Sequence, residues 1–443
     1  MQLALWIGLC LTVSFLCRTR IRLPLGAVLC LWFLVPAVGS SVLTGVASGP
    51  FSIHAAGWLV LSIFVVRMLH DPGSVQLTLA RHFILFLTLF LVMAGGFMAT
   101  ASSSAGGGMV LLVDQVAVPV LFFLLLLSDA VRGGGLVRVL RALMLSLVAL
   151  VCVIAIAQWL AGHVLFYESG FSTQYWFERQ SGRWMATLDQ ALALSMVICV
   201  AAPLVAGLKH QWLQAALLAL MAVGVLISQS RTGLVALAVV AVGTVIFAPR
   251  RAWVKAGMLL TMAGIAAAIM ASPLVAGVAA RLADDTGSSR ARALALEYFL
   301  SSWNDYAVAG RGIGSSHRVA VQAGLETSFE NPLMMYGIDF GLLFAFLYFG
   351  SMVVLVLRNG FSHGYPGLTL AGVMALVIPQ TYSSLATRSA AGIVVWTVLA
   401  MVVIASDEAR ERVRPQRPPV QVPAAADGAE QQPQRTAVGT WDN

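Results

Sequence analysis

The sequence predicts an all-helical polytopic integral membrane protein, about thirteen transmembrane helices with two longer outward loops, and three observations predict it. Hydrophobic residues make up 59% of the 443 residues and charged ones only 10%, against about half and about a quarter in a soluble domain. Mean hydropathy is +0.87. The apolar residues also fall in runs of about 20, the length that crosses a hydrocarbon layer about 30 Å thick as a helix. A soluble enzyme, a nucleic-acid module and a secreted disulfide scaffold are thereby excluded. The net charge of +8 and a pI near 9.6 are read first as topology, since cytoplasmic loops of polytopic chains carry excess Lys and Arg. The five cysteines lie in or beside apolar segments, with no CxxC and no clustering with histidine, so neither a disulfide nor a metal site is expected.

The expected spans centre near residues 9, 33, 60, 90, 119, 152, 198, 221, 241, 263, 343, 375 and 397. The first lacks a basic n-region and runs into another span, which reads as a retained helix rather than a signal peptide. Alternating the loops puts 18 of the 27 Lys and Arg residues on one side, which the positive-inside rule makes cytoplasmic. The N-terminus is then outside and the C-terminus inside. The seventh span has Thr187 or Asp189 as candidate cap, the ninth has Ser230 or Thr232, and Asn331 followed by Pro332 fits N-cap and N1 of the eleventh. A membrane domain over 1–406 follows, with outward loops at about 163–187 and 275–328. The tail, 407–443, is rich in Pro, Gln and Ala and is expected to be a disordered cytoplasmic extension.

The segment SQSRTG (Ser228 to Gly233) places Arg231 between two apolar runs, beside a helix N-terminus. Charge there is costly in lipid, and N–H groups with the positive dipole end make an anion site; the alternative is a turn whose Arg reaches lipid phosphate. Arg179 and Arg183 lie just before the seventh span, either one placed to share an anion with Arg231 or to pair with Glu168 and Glu178. GRGIGSSH (Gly310 to His317) offers Arg311, His317 and glycines that let backbone approach a ligand, or form only a turn. In LETSFEN, Glu326 and Glu330 are candidate general bases or solvated acids. Asp114, with Gln115, lies about five residues into the fifth span and Asp339 about ten into the eleventh, and neither should face lipid. Asp114 is close enough to the outer surface to orient an outer-face arginine, or makes an interhelical bond, while Arg388 reads as a snorkelling end residue.

SRTG (Ser230 to Gly233) between two spans, the GxGIG opening of a long outer loop (Gly310 to Gly314) and ENPLMMYGIDFGLLFAF (Glu330 to Phe346) together resemble the O-antigen polymerase and ligase superfamily of bacterial envelope enzymes, the Wzy-type family. The likeness covers roughly residues 180–350. It implies glycosyl transfer at the outer face of the cytoplasmic membrane from a glycan on undecaprenyl diphosphate, without cofactor or metal. Arg231 matches the family arginine implicated in diphosphate binding, and Arg183 occupies the region of a second. Where many members have a His-Asn pair, this chain reads LETSFEN, a departure that favours polymerase over ligase unless His317 stands in for the histidine.

The expectation is a polymerase of exopolysaccharide or O-antigen repeat units in the bacterial inner membrane, with Arg231, Glu326 and Glu330 as catalytic residues. Arg183, Arg231 and Arg311 would hold the diphosphate, with Asp114, Asp189 and His317 supporting them. Fixed guanidinium groups can stabilise a departing diphosphate without metal. The expected partners are the lipid-linked glycan, the membrane and a chain-length regulator or export complex, with no nucleic acid. O-antigen ligase and a transporter or flippase of lipid-linked sugars are the alternatives, the last requiring charges through the bilayer, for which Asp339 is the only deep candidate.

Overall fold

A computed structural model describes residues 1–103, 107–174, 177, 182–246, 251–271, 286–325 and 329–413, and among these every regular element is helical. The main helices are α1 Gln2–Leu16, α2 Arg22–Leu34, α3 Ala55–His70, α4 Pro72–Arg81, α5 Phe83–Ala101 and α6 Gly108–Ala130. They continue with α7 Leu136–Ala161, α8 Ala191–Ala201, α9 Gln211–Ile227, α10 Arg231–Ile246, α11 Ala252–Met270 and α12 Thr286–Ser302. The last are α13 Ser315–Gln322, α14 Pro332–Phe340, α15 Leu342–Asn359, α16 Leu368–Val377 and α17 Ala391–Val413.

Among the described residues, five helices, α5, α6, α7, α15 and α17, are long and apolar enough to cross a membrane, or up to seven spans if each of two bent pairs counts as one. Five further apolar helices have only 10–17 residues. At 1.5 Å per residue a 17-residue helix measures about 26 Å, short of a hydrocarbon layer about 30 Å thick. The expected count of about thirteen spans is therefore not met by helix length.

The breaks that shorten the helices have local causes. Pro36 disfavours helical torsions at the residue before it, so Val35 is extended and the chain turns 102° from α2 into the short helix Ala37–Thr44. Pro72 does the same between α3 and α4, which meet at 103°. In α6, Pro119 has no N–H for the helical ladder, and the helix widens to a π turn over Val113–Ala117 just before it. Gly341, at φ +106°, separates α14 from α15 in a torsion that only glycine adopts readily.

Helix α17 is the centre of the bundle. Its apolar window is 89% buried, against 28% for α5, so α17 packs on protein along its length and α5 presents most of its surface outward. It contacts α6, α16, α15, α8 and α7. The helix runs on to Val413, past the expected start of the tail at 407; the rest of that tail lies outside the described residues. Asp407 and Glu411 from this last turn pair with Arg81, at 3.3 and 3.1 Å.

Those pairs belong to a basic end of the bundle. Arg22 meets Asp129 at 2.8 Å, Asp71 pairs with Arg67 and Arg132, and Glu408 accepts from the Gly135 N–H and the Tyr365 hydroxyl. The loops at 17–22, 71, 129–135, 359–367 and the last turn of α17 are thus joined at one end. Loops from alternate connections gather at the opposite end, where the candidate residues lie.

Candidate functional site

At the end opposite the basic cluster, Ser230 is the N-cap of α10: its Oγ accepts from the Gly233 N–H at 3.1 Å. Arg231 is then the first helical residue, half-buried. The Ser230 Oγ also bonds the Tyr382 hydroxyl at 2.6 Å, which in turn lies 3.3 Å from Ser195 Oγ of α8. Gly233 completes the motif because any side chain there would collide with Ser195. SRTG is thus a capped helix start locked to α8 and to the segment before α17.

A strap of chain over residues 182–190 runs against this turn. Arg183 Nε donates to the Ser228 carbonyl at 3.3 Å, and Gln229 Nε2 donates back to the Gly182 carbonyl at 3.1 Å. Arg183 is thereby brought to the turn that carries Arg231, and its charge bears on the Tyr382 hydroxyl, which burial pushes up. Gln158 of α7 clamps the strap: its side-chain amide donates to the Ala186 carbonyl and accepts from the Ala186 N–H, both at 2.9 Å. That pairing holds Ala186 at φ +57°, a torsion strained for any residue with a Cβ. Arg179 and Glu178 lie outside the described residues.

Neither Thr187 nor Asp189 caps α8, contrary to expectation; the helix starts after Gln190 with no side-chain cap. The break at Pro36 leaves backbone groups at the end of α2 without helical partners, and the strap supplies them. Thr187 Oγ1 donates to the Phe33 carbonyl at 2.6 Å, and Asp189 Oδ1 accepts from the Ala37 N–H at 2.6 Å. His54 completes the repair from α3, with Nε2 2.9 Å from the Val35 carbonyl.

Beside the strap opens a cavity of about 860 Å³, lined among others by Asp189, Gln190, Gln115, His317, Thr387 and Arg388. Arg388 turns inward instead of snorkelling. Its guanidinium holds Asp114 through Nε at 2.9 Å and Nη2 at 2.8 Å, and donates to the Ser52 carbonyl at 2.6 Å. The carboxylate also accepts from the His54 N–H at 3.1 Å. Asp114 therefore orients an arginine of this end, but that arginine is Arg388. Gln115 Oε1 is buried with no hydrogen-bond partner among the described residues. Burial pushes the His317 imidazole down, favouring its neutral form.

Arg311 and Glu330 are not brought into the cavity lining. Arg311 is exposed, its guanidinium 5.2 Å over the Tyr306 ring, and Glu330 is paired with Arg292 at 2.7 Å. Glu326 lies outside the described residues. The glycine-rich loop closes on the chain itself: Arg311 N donates to the Ile338 carbonyl and Gly312 N to the Asp339 carbonyl, at 2.8 and 2.9 Å. Asp339 accepts from Ser316 N at 2.7 Å and Gly314 N at 3.2 Å, holding the start of α13. Gly310 has no room for a Cβ against the Asp339 carbonyl and the Phe340 nitrogen. Gly310→Ala is expected to lower stability by about 2 kcal/mol, within the range for overpacked sites. Gly350→Ala, in an open part of α15, should be neutral or stabilising; equal thermal midpoints for the two variants would refute this packing role.

The sequence reading missed Gln158, Tyr382 and the inward turn of Arg388. A Gln inside an apolar run was a visible signal, because an amide in lipid needs a partner. Compared with known families, no family model matches this chain, and no curated protein matches it either.

Proposed function

We propose that this chain is a membrane glycosyltransferase that joins lipid-diphosphate-linked oligosaccharide units at the outer face of the bacterial inner membrane. The observation that carries the reading is the junction of the strap with SRTG, where Arg183 is bonded to the turn that carries Arg231 at a helix N-terminus, while Asp189 on the same strap lines a cavity. Guanidinium groups and a helix N-terminus stabilise a departing diphosphate, and a neighbouring cavity can admit an acceptor sugar. The basic end is assigned to the cytosol by the positive-inside rule, which puts the N-terminus and the cavity on the outer side and the C-terminus inside. On this reading the short apolar helices are further spans, held among longer neighbours, in a bundle of about thirteen. The resemblance to the O-antigen polymerase and ligase superfamily supports the same chemistry, with undecaprenyl diphosphate as carrier and a chain-length regulator or export complex as partner.

Ligase activity is the second reading, favoured by His317, which lines the cavity. Transport is less well supported: Asp339, the deep acid that a path would use, is occupied by Gly314 and Ser316. Purified protein given a lipid-linked repeat unit alone should yield a ladder of products on a gel. A single coupled band, formed only when lipid A core is added, would make it a ligase. No coupled product with either acceptor would overturn glycosyl transfer.

A further inference from the structure

Resting on that glycosyltransferase reading, we infer that Asp189 is the catalytic base that takes the proton of the acceptor hydroxyl, and that the cavity it lines is the acceptor-sugar site. Asp189 is only 7% exposed, yet it borders the cavity of about 860 Å³. One carboxylate oxygen is fixed on the Ala37 N–H. The other takes no hydrogen bond from any other described residue, and on this inference it is the atom that meets a hydroxyl. Gln115, 4% exposed, lines the same cavity, and its Oε1, buried in the wall, has no hydrogen-bond partner among the described residues. Ser41, Thr173, Gln174 and Gln190 add the mixed donors and acceptors that polyols satisfy.

Position supports the role as much as chemistry does. Asp189 and Arg183 lie on one strap, clamped at Ala186 by Gln158 between them, so the base and the diphosphate-binding end share a rigid segment. In the reaction the acceptor oxygen bonds to the anomeric carbon. The bond from that carbon to the diphosphate oxygen breaks, its electron pair leaving with the lipid diphosphate, and the hydroxyl proton passes to Asp189. Burial pushes the Asp189 carboxyl up to about 7, with the Ala37 N–H and Arg388 acting against that rise and Asp114 adding to it. The charged and titratable groups around it are Arg388 and Asp114, paired with each other, His317 on the cavity wall, and His54, whose N–H holds Asp114.

The test uses the full chain in proteoliposomes with a lipid-diphosphate-linked repeat unit. Asp189→Asn can keep the acceptor for Ala37 but cannot take a proton, and general-base loss costs about 10²- to 10⁴-fold. Its rate of chain extension should fall at least about 100-fold with the KM for the lipid-linked donor little changed. The wild-type rate should rise with pH through about 7, the range to which burial brings this carboxyl. Any residual D189N rate should lack that limb, and Asp189→Glu should recover part of the activity. A purely structural Asp189 would leave the limb in D189N. Wild-type speed in D189N, or a flat wild-type profile between about pH 5.5 and 8.5, overturns the base, and the flat profile does so even if D189N does not fold. Absence of any coupled product from wild-type protein would instead bring down the glycosyltransferase reading itself.

Discussion

Arg231→Ala is expected to reduce chain extension by about 10²- to 10³-fold while leaving the protein folded, the scale seen when one transition-state donor is removed. The fold should survive because the start of α10 rests on Ser230, whose Oγ caps Gly233 and bonds Tyr382, and neither contact involves the arginine side chain. Arg231 is half-buried rather than in the core. On the proposed mechanism its charge acts on the phosphoryl oxygens as the anomeric bond breaks, so the loss should fall mainly on kcat. Arg231→Lys should recover only part of the rate, because an ammonium cannot grip phosphate in the planar bidentate fashion of guanidinium. Arg183→Ala should cost less, since part of its bonding goes to the Ser228 carbonyl. If the two share one diphosphate, the double variant will lose less than the product of the single losses. Initial rates on a lipid-linked repeat unit, with thermal midpoints measured alongside, check this series. Unchanged polymer length and rate in R231A would remove the residue from the mechanism.

What was legible in the sequence was local. Asn331 and Pro332 announce the start of α14, and the Asn331 side chain indeed accepts from Met334 N at 3.1 Å, because cap and recipient lie within one turn. The choice between Ser230 and Thr232 was left open by pattern alone and is decided by the Gly233 bond. Loop charge likewise marks the basic end, whose ion pairs draw on several connections at once. Long-range partners were not legible. Thr187 and Asp189 carry the signature of caps, but the groups they satisfy belong to a helix break about 150 residues away, at Phe33 and Ala37. Nothing near Arg388 in the chain indicates that its counter-ion is Asp114, 274 residues upstream. The glycines of GRGIG look the same whether backbone approaches a ligand or another part of the chain, and here Gly310 meets Asp339 and Phe340 while Gly312 meets Ala99 and Ser103. Hydropathy counts apolar runs without seeing where Pro36, Pro72 and Gly341 cut them short.

The second large effect is on stability and follows from the asymmetry of the Asp114 and Arg388 pair. The Asp114 side chain is fully buried, whereas that of Arg388 is 23% exposed and lines the cavity. Arg388→Met strands a carboxylate in the protein interior with the His54 N–H as its main remaining donor, a loss of about 3 to 5 kcal/mol on the scale of broken buried pairs. Asp114→Leu is expected to cost less, because the freed guanidinium keeps the Ser52 carbonyl and can turn toward water in the cavity. It also leaves the His54 N–H without its acceptor, so its cost is not zero. Replacing both residues removes the charge that either single change leaves unpaired, and the double variant should therefore be more stable than Arg388→Met alone. Denaturation midpoints of the three variants in detergent measure that coupling directly. If the two single changes cost the same, burial does not set the cost; if each costs less than about 1 kcal/mol, the pair acts as an ordinary surface bridge.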